Sequence, residues 1–517
     1  MKRVFTYAIL LLCFVSLKSF AISGEVKGTW TKGSTVNVDG QINVPKGESL
    51  TIEEGVTIII SDKGFGGNDT KIEFLVFGNL YCYGTKDNPV TFTVPEAARS
   101  NEPDRVWGGI ICGPNSAEVV LDNTIVEYTG AITTADSPSV VSGLFKAGGG
   151  EGMVAFNTNN VNGKYVVVNS TFRFTGEDAI YVQGGKCIFA NNLIYGQGIT
   201  GGEAINVKAG CMVDAANNLI FSPNTNGFKL SGAGKSEERQ ILPIKAYNNT
   251  MINAGWRRDP SGIKGGSVYI EKEAIAYVFN NIIHNCMFGV KLLADADPSC
   301  VVDYNYYVSG TQQSAVPQHI AAGITTAFNG FYKNDDDKNL KEVTNGENDV
   351  YSASAGDAAK DPKFENYSIN VVDLFEEVYD YAWDFHLQAG SPALTGANNS
   401  NTGIYAPNFA AEGLTLNGKT YKSPFPSSYF GALGSKSTKV GINKISADKF
   451  NVYPNPVEDV ININGIKDGN FSIFSISGQK VLAGIISASN ARIDVSKLQA
   501  GIYVINMNGS VARFIKK

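Results

Sequence analysis

The side chains able to do chemistry fall into columns. Five short segments align residue for residue: AIYVQ (179–183), AINVK (204–208), GFKLS (227–231), SVYIE (267–271) and GVKLL (289–293). Read as strands, alternate residues face opposite ways. One set is Ile180, Ile205, Phe228, Val268, Val290 and Val182, Val207, Leu230, Ile270, Leu292. It is wholly apolar and belongs inside. The other set presents Tyr181, Asn206, Lys229, Tyr269, Lys291 and then Gln183, Lys208, Ser231, Glu271, Leu293. Column neighbours lie about 4.8 Å apart, so one face carries a line of lysines and tyrosines. Aromatics of this kind stack on sugar rings, and cations meet acidic groups. Tyr181, Asn206, Trp256, Arg258, Tyr269 and Lys291 are the candidate substrate-binding residues. Lys208, Lys229, Arg257 and Lys264 are further basic residues of this face and its insert. The plainer alternative is that these residues simply solvate a β-surface and a wet loop.

The residue just before each strand forms an acidic column: Glu151, Asp178, Glu203, then Asn226. Stacked carboxylates repel unless protonated, solvated or bridged by a cation. Oxygen-only ligands suit Ca²⁺, whereas acidic residues at such turns also serve simply as backbone caps. Other chemistries are poorly supplied. The three histidines (His284, His319, His386) are far apart, and no HExxH or GxSxG string occurs. The glycine run KAGGGEG (146–152) lacks the Lys-Ser/Thr step of a phosphate loop. With 43 basic against 49 acidic residues and no basic block, general nucleic-acid binding is excluded.

The elements that must position these residues repeat. Short β-type runs recur around an asparagine step at Asn123, Asn169, Asn192, Asn218, Asn249, Asn281 and Asn305, at intervals of 46, 23, 26, 31, 32 and 24. The short intervals fit one solenoid turn of three strands, and the long ones the same turn with loops inserted. One turn cannot bury its apolar face alone, so turns stack and each strand pairs with its equivalent one coil on. Three parallel sheets result. The asparagines fall at the bend between the second and third strands, where Asn tolerates left-handed backbone and its side chains hydrogen-bond from coil to coil. The inserts (129–150, 231–240 and 253–266) fall at the edges of the lysine–tyrosine sheet and are expected to wall a groove from both sides.

The opening GQINVPKGESLTIEEGVTIII with LVFGNLYCYGTKDNPVTFT, and the closing DPKF, DFHLQAGSPAL and YFGALG, resemble the right-handed parallel β-helix, or pectate-lyase-like, superfamily. That resemblance implies fold more than chemistry, since its members include lyases, hydrolases, isomerases and non-catalytic adhesins. Many of its lyases use Ca²⁺ to neutralise a uronate while Lys or Arg abstracts the adjacent proton, so the resemblance implies Lys208, Lys229, Arg257 or Lys264 as candidate base. A lysine can serve only if burial or a neighbouring cation lowers its pKa by several units. From about Asp448, strand runs alternate with turns, the pattern of a small immunoglobulin-like β-sandwich. Pro454-Asn455-Pro456, the SGQKV turn and LQAGIYVI around Gly501 resemble the C-terminal sorting domain of type IX secretion substrates. That resemblance implies contact with the outer-membrane secretion machinery and a secreted or cell-surface address.

At the other end, Lys2 and Arg3, an apolar run and Ser19-Phe20-Ala21 read as a signal peptide. No later stretch approaches the ~20 apolar residues of a membrane span. Six cysteines remain after the leader, mostly among apolar strand residues, as buried free thiols would be. The expected architecture is all-β: signal peptide 1–21, β-helix with cap and inserts 22–435, linker 436–447 and sorting sandwich 448–517. The expected function is engagement of an acidic polysaccharide in the groove, either as a Ca²⁺-assisted lyase or as a non-catalytic adhesin or glycan-binding scaffold.

Overall fold

A computed structural model describes residues 21–65, 70–148, 152–258, 265–311, 331–334, 340–342, 346–351, 356–370, 373–436, 451–464, 469–475, 480–487, 491–507 and 510–517. The signal peptide and most of the expected linker lie outside the described residues. The described chain divides into two compact units between Ser435 and Lys436.

The first unit is a parallel β-helix. Alternating apolar residues close into strands whose inward members stack along the axis, and Phe74, Phe92, Trp107, Phe156 and Tyr165 belong to one continuous buried core. A ten-stranded base sheet runs from Gly28–Trp30 to Val301–Val302. A second ladder follows the asparagine bend, for example Leu193–Gln197, Leu219–Phe221, Thr250–Ile252 and Ile282–His284. A third ladder carries the lysine–tyrosine column. The long strand Thr35–Val44 pairs with both Thr57–Ile60 and Phe74–Val76, so the second and third ladders share it and form one sheet.

The asparagine step divides its work between two adjacent residues. Left-handed backbone belongs to Asn123, Asn169, Asn191, Asn217, Asn248, Asn280 and Tyr304, with φ of 49 to 59°. The buried ladder is built by the next residue: Asn192 Nδ2 donates to Asn218 Oδ1, Asn218 to Asn249, Asn249 to Asn281 and Asn281 to Asn305, each at 2.9 Å. In the earlier coils a hydroxyl takes this place, with Thr124 N donating to Ser170 Oγ at 3.0 Å. Asn123 and Asn169 of the repeat therefore belong to the bend and the later five to the ladder. A buried amide with all its bonds made fixes register, because a slip would strand every donor at once.

The region after the last coil decides which face stays open. Phe409, Leu414, Leu416 and Tyr421 pack on Tyr81, Val120, Val166 and Ile188 outside the base sheet. Polar ties hold them: Ser423 Oγ donates to Asp214 at 2.6 Å, and Lys419 pairs with Asp122 at 2.8 Å. Residues 364–370 and 373–385 cover the second ladder with aromatic rings, Tyr379 on Tyr195 at 5.4 Å and Trp383 on Phe221 at 5.1 Å. This segment thus packs on the other two outer faces, and a cleft opens on the third ladder.

The second unit is a small antiparallel sandwich. A three-stranded sheet (Asn451–Tyr453, Val460–Asn464, Arg492–Asp494) and a four-stranded one (Lys480–Ile486, Gly469–Ser475, Gly501–Met507, Ser510–Lys516) enclose Ile461, Ile463, Ile473, Ile493, Ile505 and Phe514. Asn455, between Pro454 and Pro456, is pinned to the last strand: Ile515 N donates to its Oδ1 at 2.9 Å, and its Nδ2 donates to Arg513 O at 3.0 Å.

Candidate functional site

The third ladder positions the columns as read. Ile180 pairs with Ile205, Ile205 with Phe228, Phe228 with Val268 and Val268 with Val290. The outward column follows in the same register: Tyr181, Asn206, Lys229, Tyr269, Lys291. Above it lies a cleft of about 1210 Å³. The insert after Thr129 contributes Leu144, Phe145 and Lys146 to its wall, and the insert before Gly266 contributes Arg258 and Gly265. Insert 231–240 is expected as an opposite wall, but it lines none of the cleft and reaches away, with Arg239 Nη2 donating to Asn159 Oδ1 at 2.9 Å.

Cations and rings interleave on the floor. The Lys208 ammonium lies 5.5 Å from the Tyr181 ring and that of Lys229 5.5 Å from the Tyr269 ring, distances typical of cation–π attraction. Lys229 also pairs with Glu271 at 3.5 Å, and Glu271 accepts from Ser231 Oγ at 2.9 Å. Burial and then the Lys229 charge push Lys208 below its ordinary value, against the pull of Asp178, Glu203 and Glu271.

Asp178 and Glu203 form a buried pair. Glu203 N donates to Asp178 Oδ1 at 2.8 Å, and Asn206 Nδ2 donates to Asp178 Oδ2 at 2.8 Å. Burial, followed by the Glu203 charge, pushes Asp178 well above the usual carboxylate range. Burial acts the same way on Glu203, but the hydrogen bond from Asp178 and the charges of Lys229 and Lys208 outweigh it and hold Glu203 low. The two carboxyl groups are coupled, Asp178 held up and Glu203 held down. Nearby, Asn206 Oδ1 and Asn226 Oδ1 have no hydrogen-bond partner.

The other candidates separate. Lys291 is buried, donates to Gly265 O at 2.6 Å and is pushed down to about 7 by burial and Lys229; it does not line the cleft. Trp256 is buried with its Nε1 donating to Asn285 O at 2.5 Å, so its ring is no platform for sugar. Arg257 turns inward. Its guanidinium donates to the carbonyls of Gln197 (2.6 Å), Gly198 (3.0 Å) and Ser222 (2.9 Å), which leaves it a brace for three turns of backbone. Arg258 lines the cleft, bonded to Thr200 O and, at 3.3 Å, to Thr225 Oγ1. Lys264 and Glu151 lie outside the described residues. His284 is buried against Phe364 and Tyr367, and burial lowers it to about 3.

Two carboxylates of the cleft escaped the sequence reading. Glu177 pairs with Arg105 and accepts from Thr200 Oγ1 at 3.0 Å; it adjoins Asp178 in a GEDA step that reads as ordinary turn chemistry. Glu271 was visible in the outward column but carried no distinguishing spacing. Of the three expected calcium ligands, Asp178 and Glu203 stand together and Glu151 lies outside the described residues. Among the described residues no three His, Cys, Asp or Glu side chains converge on a cation position. Both Asp178 oxygens are already engaged, whereas Ca²⁺ takes about six to eight oxygen ligands.

Two segments match known families. Residues 22–140 match the pectate-lyase-like beta helix domain, and residues 451–517 match the secretion system C-terminal sorting domain. The chain is a parallel β-helix protein with a type IX sorting tail. The tail directs it to secretion or the outer cell surface and implies contact with the secretion machinery. No helix among the described residues is long and apolar enough to cross a membrane. No curated protein and no solved structure matches the chain.

Proposed function

We propose that the cleft binds an acidic polysaccharide and cleaves it by β-elimination, with Lys208 as base. The observation that carries this reading is that Lys208, whose charge burial and Lys229 disfavour, lines one cleft with the hydrogen-bonded Asp178–Glu203 pair. Elimination needs a base for the proton α to a uronate carboxylate and cations to steady the negative charge that develops. It also needs an acid for the departing glycosidic oxygen. Lys208 takes the proton as the C=C bond forms and the C–O bond breaks. Lys229 and Arg258 face the carboxylate in the role that Ca²⁺ plays elsewhere in this fold, and Asp178 returns a proton to the leaving oxygen. Tyr181, Tyr269 and the free acceptors of Asn206 and Asn226 support sugar rings and hydroxyls.

The test uses the secreted protein with polygalacturonate, alginate and chondroitin, following ultraviolet absorbance of the unsaturated product, with chelator present throughout. We expect absorbance to rise with at least one polymer. Lys208→Met should slow the rise by at least about 100-fold while leaving binding in affinity electrophoresis intact. A flat trace with retained binding would sink the elimination and establish a non-catalytic scaffold. A flat trace without binding would remove polysaccharide from the account altogether.

A further inference from the structure

The cleft changes character along its length. Over the coils of Asn206, Lys229 and Tyr269 its lining is cationic, with Lys208, Lys229, Arg258 and Lys272. Toward the preceding coils, against the wall insert, it turns apolar. Leu144 and Phe145 of the insert are half-buried and pack, with Tyr181, against the buried Leu75, Ile111 and Val154. Leu144, Phe145, Val154 and Tyr181 all line the cleft. The wall is held in place locally: Leu144 N and Phe145 N both donate to Ser139 O, at 2.8 and 3.2 Å, and Ser139 is clasped by the buried Glu73. Lys146 of the same insert is exposed.

A carboxylate borders this apolar end. Glu177 Oε1 accepts from Gly152 N at 3.4 Å and from Thr200 Oγ1 at 3.0 Å and pairs with Arg105, while Oε2 keeps its acceptor capacity. Column neighbours stand about 4.8 Å apart, and an extended glycan advances by about one sugar over the same distance. A polymer lying along the axis with a uronate opposite Lys208 and Lys229 therefore sets its next sugar against Tyr181, the wall and Glu177. A second free carboxylate there would lose hydration to apolar side chains and meet a like charge. A neutral group with a methyl for the wall and an N–H for the carboxylate suits both, and an acetamido group has that composition.

We propose that the wall end of the cleft is a subsite for an acetamido sugar, so that the polymer it takes alternates a uronate with an N-acetylated hexosamine. The methyl lies against Leu144, Phe145 and the Tyr181 ring, and the amide N–H donates to Glu177 Oε2. This inference rests on the reading of the cleft as an acidic-polysaccharide site and narrows it.

Hexasaccharides of unsulfated chondroitin, which alternates glucuronate with N-acetylgalactosamine, and of polygalacturonate, a uniform polyuronate, are titrated into the full secreted chain by calorimetry. Chondroitin is expected to bind at least about tenfold tighter. The double variant Leu144→Ser, Phe145→Ser should weaken chondroitin about tenfold and leave polygalacturonate and the circular dichroism spectrum unchanged. Glu177→Gln keeps an oxygen for Arg105 but turns a donor toward the ligand, and should also weaken chondroitin alone. Equal affinity for the two, or tighter polygalacturonate, would overturn the subsite and leave the cleft an acidic-polysaccharide site. Undiminished chondroitin binding by the wall variant would overturn it likewise. Binding of neither would sink the reading of the cleft itself, and the subsite with it.

Discussion

The chemistry of the cleft depends on who neighbours whom. Lys208 is an ordinary lysine in sequence; it becomes a base candidate because burial and Lys229 both disfavour its charge. Asp178 is held up by burial and the Glu203 charge, whereas at Glu203 the same burial is outweighed by the hydrogen bond from Asp178 and the charges of Lys229 and Lys208. These dependencies have a sign. Activity by the proposed route requires Lys208 neutral and Asp178 protonated, so kcat/KM against pH is bell-shaped. Glu203→Gln removes the anion that raises both groups, and both limbs should therefore move to lower pH. A profile with unmoved limbs would detach the carboxylate pair from the chemistry. The same scale explains two corrections. Trp256 and Arg257 look like ligand contacts in a list of residue types, but an indole N–H and a guanidinium satisfy buried carbonyls equally well. Residue type does not say which way a loop turns.

Elements stabilise the site through two buried polar devices. The asparagine ladder runs along one edge of the coils, and its members are not equal. Asn218→Leu would take the Asn218 bond from Asn192 N–H, from one of the two Asn192 Nδ2 hydrogens and from Phe189 O, at a cost of about 3 kcal/mol or more. Asn217→Ala forfeits a left-handed residue, φ 56°, for about 1–2 kcal/mol. Urea unfolding of the two variants should rank them in that order.

The second device docks the wall insert. Glu73 is fully buried and accepts from Ser139 N at 2.7 Å and Ser139 Oγ at 3.0 Å, and burial raises it from its ordinary 4.5 to about 7. Between those values the native state binds more protons than the unfolded chain, so stability falls as pH rises through that window and is level outside it. Glu73→Gln should remove that slope and stabilise the protein at pH 8 by on the order of 3 kcal/mol. Thermal unfolding at pH 5 and pH 8 reads both effects, and an unchanged slope would assign the pH dependence to other groups.

The whole molecule joins a binding body to an address. The β-helix exposes its cleft because its C-terminal segment seals the other two faces with rings and hydrogen bonds. The tail is a separately packed unit with its own apolar core. Deleting 451–517 should therefore leave the β-helix folded while trapping it inside the cell envelope. Fractionation, with circular dichroism of the retained protein, checks both halves of that expectation. Appearance of the truncated chain at the surface would deny the tail its role.

Fold, register and address were legible in the residues because each rests on a local repeat. Period-two apolar alternation dictates which side chains of 179–293 point inward, and stacking by one coil dictates their neighbours. The Asn-Asn steps were legible as a bend; that bend and ladder are different residues was not, since backbone angle and side-chain direction are separate variables at adjacent positions. Long-range packing decided the rest. The turn of Arg257 toward carbonyls one and two coils away, the absence of insert 231–240 from the wall and the recruitment of Glu177 all depend on contacts between segments far apart in sequence. So does the coupling of Asp178 to Glu203, because a pKa is set by what surrounds a group in space, and the sequence names only what precedes and follows it.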